Sequence, residues 1–307
     1  MNPRLLFAGT PDFAAPALRA LIASGNAPVA VLTQPDRAAG RGRKIRPGPI
    51  KEIALSAGIE VLQPERLDAE LARPLTAFNP DLLVTAAYGL ILPRWLLEVP
   101  RFGCWNLHAS LLPRWRGASP INQAVLHGDA TTGVSLMQME VGLDTGPVLA
   151  KAVTDIGPEE TAGQLHDRLA PMAADLLLKH LARLTEGQLP EPQPQDDGLA
   201  THAPLIKREN AKLDWSGSAG ALVRQIRAYN PWPVAFADLE DMEVRVYRAR
   251  AGKCFDAPPG QLIRGHGQRE AVVVSCVDGS LEILELQAPG RKRVSAADWL
   301  NAHPDWR

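Results

Sequence analysis

Residues 4–25 read RLLFAGTPDFAAPALRALIASG, and their reading decides the architecture. Arg4–Ala8 is a short, almost wholly apolar run, the pattern of a strand covered on both faces. Thr10-Pro11 follows as a helix start, with Thr as the cap and Pro at the first helical position. The helix that follows carries Phe13, Ala17, Leu18, Leu21 and Ile22 and stops at Gly25. A buried strand feeding a helix through a tight turn is the first unit of a parallel α/β sheet.

The same alternation runs on through the first 155 residues. Further strands are predicted at Pro28–Thr33, Asp81–Ala86, Cys104–His108, Gly133–Met139 and Val148–Thr154, giving a doubly wound, Rossmann-like and mostly parallel sheet. Thr161–Glu186 predicts a long amphipathic helix, with Leu165, Leu169, Leu177 and Leu184 on its apolar stripe. Residues 187–209, GQLPEPQPQDDGLATHAPLIKRE, are rich in Pro, Gln and Asp without periodicity and read as a linker. Beyond it come a helix, Ser218–Ala228, and closely spaced strands at Ala235–Asp238, Val244–Ala249, Ala271–Ser275 and Leu281–Gln287. That spacing predicts a small OB-like antiparallel β-barrel. The expected domains are therefore 1–187, a linker over 188–206, and 207–307.

The 307 residues are 46% hydrophobic and 22% charged, the balance of a globular protein with ample core. The net charge of −1 means that any contact with nucleic acid must come from a local patch. Cys104, Cys254 and Cys276 are too sparse for a disulfide framework and match no metal spacing. No run approaches the roughly 18 apolar residues of a membrane span. The N-terminal apolar run is too short for a signal peptide, so a cytoplasmic protein is expected.

On the strand Cys104–His108, Trp105 and Leu107 face one side and Asn106 and His108 the other. Two polar side chains then stand at the carboxyl end of a sheet strand, where open α/β sheets bind ligands. Asp144 lies in MEVGLDTGPVL between Gly142 and Gly146, just after another strand, where glycines allow a tight turn and a close approach. Taken singly, Asn106 and His108 could cap a loop and Asp144 could be an ordinary turn residue. Together, an amide can polarise a carbonyl oxygen, an imidazole can move a proton or stabilise an oxyanion, and a carboxylate can orient the ring or take a proton. GxSxG and Walker sequences are absent. The first loop, AGTPDF, lacks the glycine fingerprint of dinucleotide binding. What remains is direct acyl transfer between two bound substrates.

Arg37–Lys51 carries six positive charges and no acid, broken by Gly40, Gly42, Pro47 and Gly48. It reads either as a solvated surface loop or as a flexible polyanion-binding insertion at the rim of the site. Trp115, between Arg114 and Arg116, could stack on a base or pin its loop to the core. Residues 207–307 hold 15 basic and 13 acidic residues, net +2 against −3 for the remainder. Arg248 and Arg250 are placed on one strand face, with Arg291–Arg293 as a second cluster.

FAGTPDFAAPAL (7–18), TQPDRAAGRGRK (33–44), AAYGLILP (86–93), NLHASLLPRWRGASPI (106–121), MQMEVGLDTGP (137–147) and YNPWPVAF (229–236) resemble the methionyl-tRNA formyltransferases over essentially the whole chain. Asn-x-His-x-Ser-Leu-Leu-Pro and the distant Asp are shared by all folate-dependent formyltransferases. SLLPRWRGASP, GRGRK and NPWP are narrower. The resemblance implies transfer of the formyl group of 10-formyltetrahydrofolate to the α-amino group of methionyl initiator tRNA, with no metal and no ATP. It implies Asn106, His108 and Asp144 as catalytic residues and Ser110, Leu111, Leu112 and Pro113 along the folate. It also implies Arg41, Arg43 and Lys44 as tRNA contacts and a C-terminal barrel that binds tRNA. A monomer is expected. Another formyltransferase that uses 10-formyltetrahydrofolate, or a formyltetrahydrofolate hydrolase, would share the same three catalytic residues.

Overall fold

The computed structural model describes residues 3–39, 44–189, 191–265 and 269–306. The chain divides into two compact units, one from residues 1–120, 131–155 and 166–203, the other from 121–130, 156–165 and 204–307.

In the first unit, β1 (Leu5–Gly9), β2 (Ala30–Leu32), the hairpin β3 (Arg37–Ala39) and β4 (Lys44–Arg46), β5 (Glu60–Leu62), β6 (Leu82–Ala86), β7 (Cys104–His108), β8 (Arg116–Gly117), β9 (Thr131–Gln138), β10 (Val148–Asp155) and β11 (His202–Ala203) follow one another along the chain. The main sheet has seven strands in the order β10-β9-β7-β6-β1-β2-β5. From β7 to β5 every pair is parallel, while β9 and β10 close that side antiparallel. Helices α1 (Ala15–Ala23), α2 (Pro49–Ser56), α3 (Ala72–Ala77) and α4 (Arg94–Leu97) separate the parallel strands. β1 and β6 are buried at every position, as continuous apolar runs require when both faces are covered. β10 alternates buried and exposed residues because it is the edge strand.

The first turn differs from expectation at Thr10. A 3-10 turn, Asp12–Ala14, precedes α1, and no side chain caps it. The Thr10 hydroxyl instead donates to the Tyr88 carbonyl at 2.9 Å and accepts the Gln34 N–H at 3.3 Å. Three segments leaving the carboxyl ends of β1, β2 and β6 are thereby tied together, a stronger claim on the hydroxyl than an exposed helix end.

In the second unit, α5 (Pro120–His127) and the turn into α6 (Ala162–Thr185) join the C-terminal residues. There α7 (Ala219–Ala228) starts at Ser218, whose hydroxyl accepts the Ala221 N–H at 3.2 Å. Strands β12 (Ala235–Leu239), β13 (Met242–Gly252), β14 (Leu262–Ile263), β15 (Val272–Ser275), β16 (Ser280–Gln287) and β17 (Val294–Ser295) form an antiparallel, curled half-barrel in the order β12-β13-β16-β15-β14, with β17 also on β16. The last helix is α8 (Ala296–Ala302). Leu222 and Ile226 of α7 pack with Val244, Val272, Leu281 and Trp299 into one core. The Arg224 Nε donates to the Leu126 carbonyl at 3.2 Å, and the Asn122 amide donates to Ala228 at 2.6 Å, which is how α5 is held in this unit.

Candidate active site

β6 and β7 pair in register so that Thr85 lies beside Asn106. The Thr85 hydroxyl donates to Asn106 Oδ1 at 2.8 Å, which turns the amide nitrogen the other way. That Nδ2 reaches Asp144 Oδ1 at 3.4 Å, and its second N–H meets no partner among the described residues. One oriented donor is therefore free to face a ligand oxygen.

His108, two residues on, is buried at 6% exposure, while Trp105 and Leu107 fill the opposite face of β7. Its Nε2 lies 2.9 Å from the Trp115 carbonyl. A carbonyl only accepts, so Nε2 carries the hydrogen and Nδ1 is the acceptor of the neutral ring. Nδ1 faces Asp144 Oδ2 at 3.6 Å.

Asp144 stands in the left-handed region, at φ 54°, in the turn between β9 and β10. Its Oδ2 accepts the Gly117 N–H at 2.8 Å. Gly146 closes the same turn against β9: a Cβ there would sit 1.9 Å from the Gln138 carbonyl oxygen. The three sequence-predicted residues are thus brought together. Asn106 and His108 point from one strand, and the carboxylate is delivered by a turn whose glycine no other residue can replace without moving the backbone.

The segment after His108, expected along the folate, is shaped from within. Ser110 and Leu112 are fully buried. The Ser110 hydroxyl donates to the Arg114 carbonyl at 2.5 Å, and Ser135 of β9 bridges the Ser110 carbonyl at 2.7 Å and the Leu112 N–H at 3.0 Å. These side chains shape the loop, and only Leu111 and Pro113 are partly exposed. The Leu112–Pro113 bond is cis. Trp115 is buried at 6% exposure with the Arg114 guanidinium 4.4 Å from its ring centre, so it anchors the loop.

Of the basic insertion, Arg41 and Arg43 lie outside the described residues, and Lys44 is described only as the first residue of β4. The stem is held at its base. Lys51 Nζ lies 2.6 Å from both Asp36 and Gln63, and the Gln63 amide donates to Asp36 at 2.8 Å. The hydrogen bond from Lys51 holds the Asp36 carboxyl below its ordinary range, with Gln63 adding to the effect. One of the six positive charges is therefore matched by an acid just outside the run. On the half-barrel, Arg245, Arg248 and Arg250 are exposed on one strand. Arg248 pairs with Glu285 at 3.6 Å, Arg250 pairs with Glu282 at 2.6 Å, and Arg293 also pairs with Glu285.

Thr85 and Gly117 complete the site and were not singled out from the sequence. The signal for Thr85 was present: it is the one polar residue in LLVTA, near the carboxyl end of a parallel strand. For Gly117 nothing local distinguishes a site glycine from a loop glycine. Among the described residues, no group of three His, Cys, Asp or Glu could hold a metal ion. No helix among them is long and apolar enough to cross a membrane.

Comparison with known proteins agrees with this geometry. The formyl transferase family matches residues 3–181, and its C-terminal domain matches residues 205–304. A methionyl-tRNA formyltransferase of Methylococcus capsulatus is 51% identical over 302 residues, covering 98% of this chain and 97% of its relative. Another, of Xylella fastidiosa, is 49% identical over 304 residues, covering 98% of each. A solved N-formyltransferase from Helicobacter canadensis, in complex with folinic acid and dTDP-3-aminofucose, superposes with a TM-score of 0.68 at 18% identity, covering 93% of this chain and 99% of that one. At that identity the likeness is one of fold. With both family domains matched in order and half the residues shared along its full length, the chain belongs to the formyltransferase family, among the methionyl-tRNA formyltransferases.

Proposed function

We propose that the chain transfers the formyl group of 10-formyltetrahydrofolate to the α-amino group of methionine esterified to initiator tRNA, giving N-formylmethionyl-tRNA. The observation that carries the chemistry is the convergence of an oriented amide donor, an imidazole nitrogen and a carboxylate at the ends of β6 and β7. The choice of acceptor is carried by the full-length likeness to relatives of that name.

The neutral amine attacks the formyl carbon, a C–N bond forms, and the carbonyl pair moves onto oxygen. Asn106 Nδ2–H donates to that oxyanion, as does the Nδ1–H of His108 in its protonated, imidazolium form, and one such donor is worth about 3–4 kcal/mol. The amine nitrogen then loses a proton and the folate nitrogen gains one as its bond to carbon breaks. Asp144, 3.6 Å from Nδ1, carries that proton exchange. The formyl group arrives already activated on the folate, so neither a metal ion nor ATP enters the scheme. Holding two large substrates in register supplies the remaining acceleration.

On this reading residues 1–187 are the catalytic domain, 188–206 the linker and 207–307 the tRNA-binding domain. Leu111 and Pro113 offer the folate their surfaces, and Ser110 and Leu112 act through the backbone they fix. Arg41, Arg43 and Lys44 contact the acceptor end, and the protein works as a monomer in the cytoplasm. The test is formyl incorporation from labelled 10-formyltetrahydrofolate with methionyl initiator tRNA and free methionine as parallel acceptors. Transfer to the charged tRNA alone, weakened by added salt, supports the proposal. Formate release without transfer would make the chain a hydrolase.

A further inference from the structure

We propose that Gln193–Ala203, in the second half of the segment between the two matched domains, is a strap that sets the distance between Asp144 and His108, with Gln195 as its principal positioning residue. The inference rests on the reaction proposed above for its kinetic consequence.

Gln195 spends both hydrogens of its amide and one acceptor position of its oxygen on the catalytic loops. Its Nε2 donates to the Asp144 carbonyl at 2.8 Å and to the Gly146 carbonyl at 2.7 Å. Its Oε1 accepts from Arg116 Nε at 3.0 Å. Asp144 needs such support, because φ 54° is disfavoured for a residue with a side chain. The two donated bonds hold the carbonyls on either side of Thr145, and with them the direction in which the carboxylate leaves the turn.

A second line runs to the imidazole. The Thr201 hydroxyl accepts the Trp115 N–H at 2.9 Å, and the Thr201 carbonyl accepts the Arg116 N–H at 2.9 Å. Trp115 supplies the carbonyl that His108 Nε2 meets. Arg116 joins the two lines: its guanidinium is buried at 5% exposure between Gln195 and Asp197, with Asp197 Oδ1 at 2.7 Å. A buried guanidinium with a carboxylate and an amide as partners is a fixed point rather than a solvated charge. These hydrogen bonds of Gln195 and Thr201 go to backbone and to Arg116, not to the His108 ring or the Asp144 carboxylate. Both act through backbone, which makes them positioning residues.

The test compares Gln195→Leu, Gln195→Glu, Thr201→Val and Thr201→Ser with wild type. Gln195→Glu keeps the volume and the Arg116 contact but sets an acceptor against two carbonyls. Both Gln195 variants and Thr201→Val should lower kcat about 10- to 100-fold, with KM for folate and for tRNA within about twofold, since a misplacement near 1 Å costs on that order. Thr201→Ser, which keeps the accepting hydroxyl, should restore the rate. Thermal unfolding above the assay temperature shows that each variant is folded. If folded Gln195 variants keep wild-type kcat, or raise KM instead, the strap is refuted. A crystal structure of Gln195→Leu reads the geometry without reference to the reaction. Separation of Asp144 Oδ2 from His108 Nδ1 beyond 3.6 Å is expected, and an unchanged distance overturns the inference. Absence of formyl transfer by the wild type would remove the proposed reaction and leave the structural measurement to decide the strap.

Discussion

Replacing Gly117 by alanine loads two stresses onto one residue. Its φ of 119° is a conformation that side chains rarely adopt, and strain of that kind costs roughly 1–3 kcal/mol. The new Cβ would lie 2.6 Å from the Ala203 carbonyl oxygen, about 0.8 Å inside the 3.4 Å at which ordinary contact begins. Both sides of that contact are backbone, so neither can rotate away, and overpacking of this kind adds about 1–3 kcal/mol. A total near 2–6 kcal/mol lowers the melting temperature by roughly 4–24 °C for a unit of this size. The catalytic effect follows from the same displacement. The Gly117 N–H donates to Asp144 Oδ2 at 2.8 Å, and a shift of most of an ångström breaks that bond. Single-turnover formyl transfer should then fall about 10- to 100-fold. Differential scanning calorimetry and rapid-quench kinetics at saturating substrates measure the two effects. A variant that melts within a degree or two of wild type and reacts within twofold of its rate would refute both the close approach and the role of the N–H.

Three further outcomes are expected. Thr85→Val leaves Asn106 Oδ1 without its donor, an unsatisfied acceptor worth about 1–3 kcal/mol, so kcat should fall roughly tenfold while the Kd for charged tRNA holds; unchanged kcat would mean that the amide is oriented by something else. Burial pushes the Cys104 thiol up to about 12 and the Cys276 thiol up to about 11, whereas Cys254 is exposed. A disulfide reagent at mildly alkaline pH should therefore label Cys254 quickly and the other two only after unfolding, and a second fast thiol would contradict the packing. Asp36 has its folded pKa below the ordinary value, so its clasp with Lys51 contributes stability that is present above about pH 4 and lost as pH falls through the folded value. Asp36→Asn should destabilise the fold at neutral pH, and its difference from wild type should shrink under acid; a difference that grows on acidification would reverse the sign argued here.

What the chain discloses by itself depends on how local the cause is. β6 and β7 are legible because continuous apolar runs suit a sheet covered on both faces, and the alternation in CWNLH divides core from site without reference to any other segment. The same holds for α6 and α7, whose periodicity covers several turns. β5 escapes because Glu-Val-Leu is three residues at an edge and is partly exposed along its length. β8 and β11 escape because two-residue strands have no period. Thr10 looks like a cap in sequence, and only the neighbouring strand ends show where its hydroxyl is better used. Residues 188–206 read as a linker because Pro, Gln and Asp lack periodicity. Two of their hydrogen bonds go to loops 51 and 86 residues away, and no spacing rule carries that information. Asn106, His108 and Asp144 stand out in the sequence because each is a chemically distinctive side chain at a strand end. Thr85, Gly117 and Gln195 act through orientation and backbone, where residue type alone says little.

The central claim is that Asn106, His108 and Asp144 act on the reacting atoms rather than on substrate capture. It is tested most directly by single-turnover formyl transfer in His108→Ala, with both substrates saturating and tRNA binding measured on the same preparation. The chemical step should be slowed by a factor of about a hundred or more with tRNA affinity essentially unchanged, as expected when a donor to the oxyanion is removed. A wild-type rate at saturation, with the whole defect in binding, would contradict it.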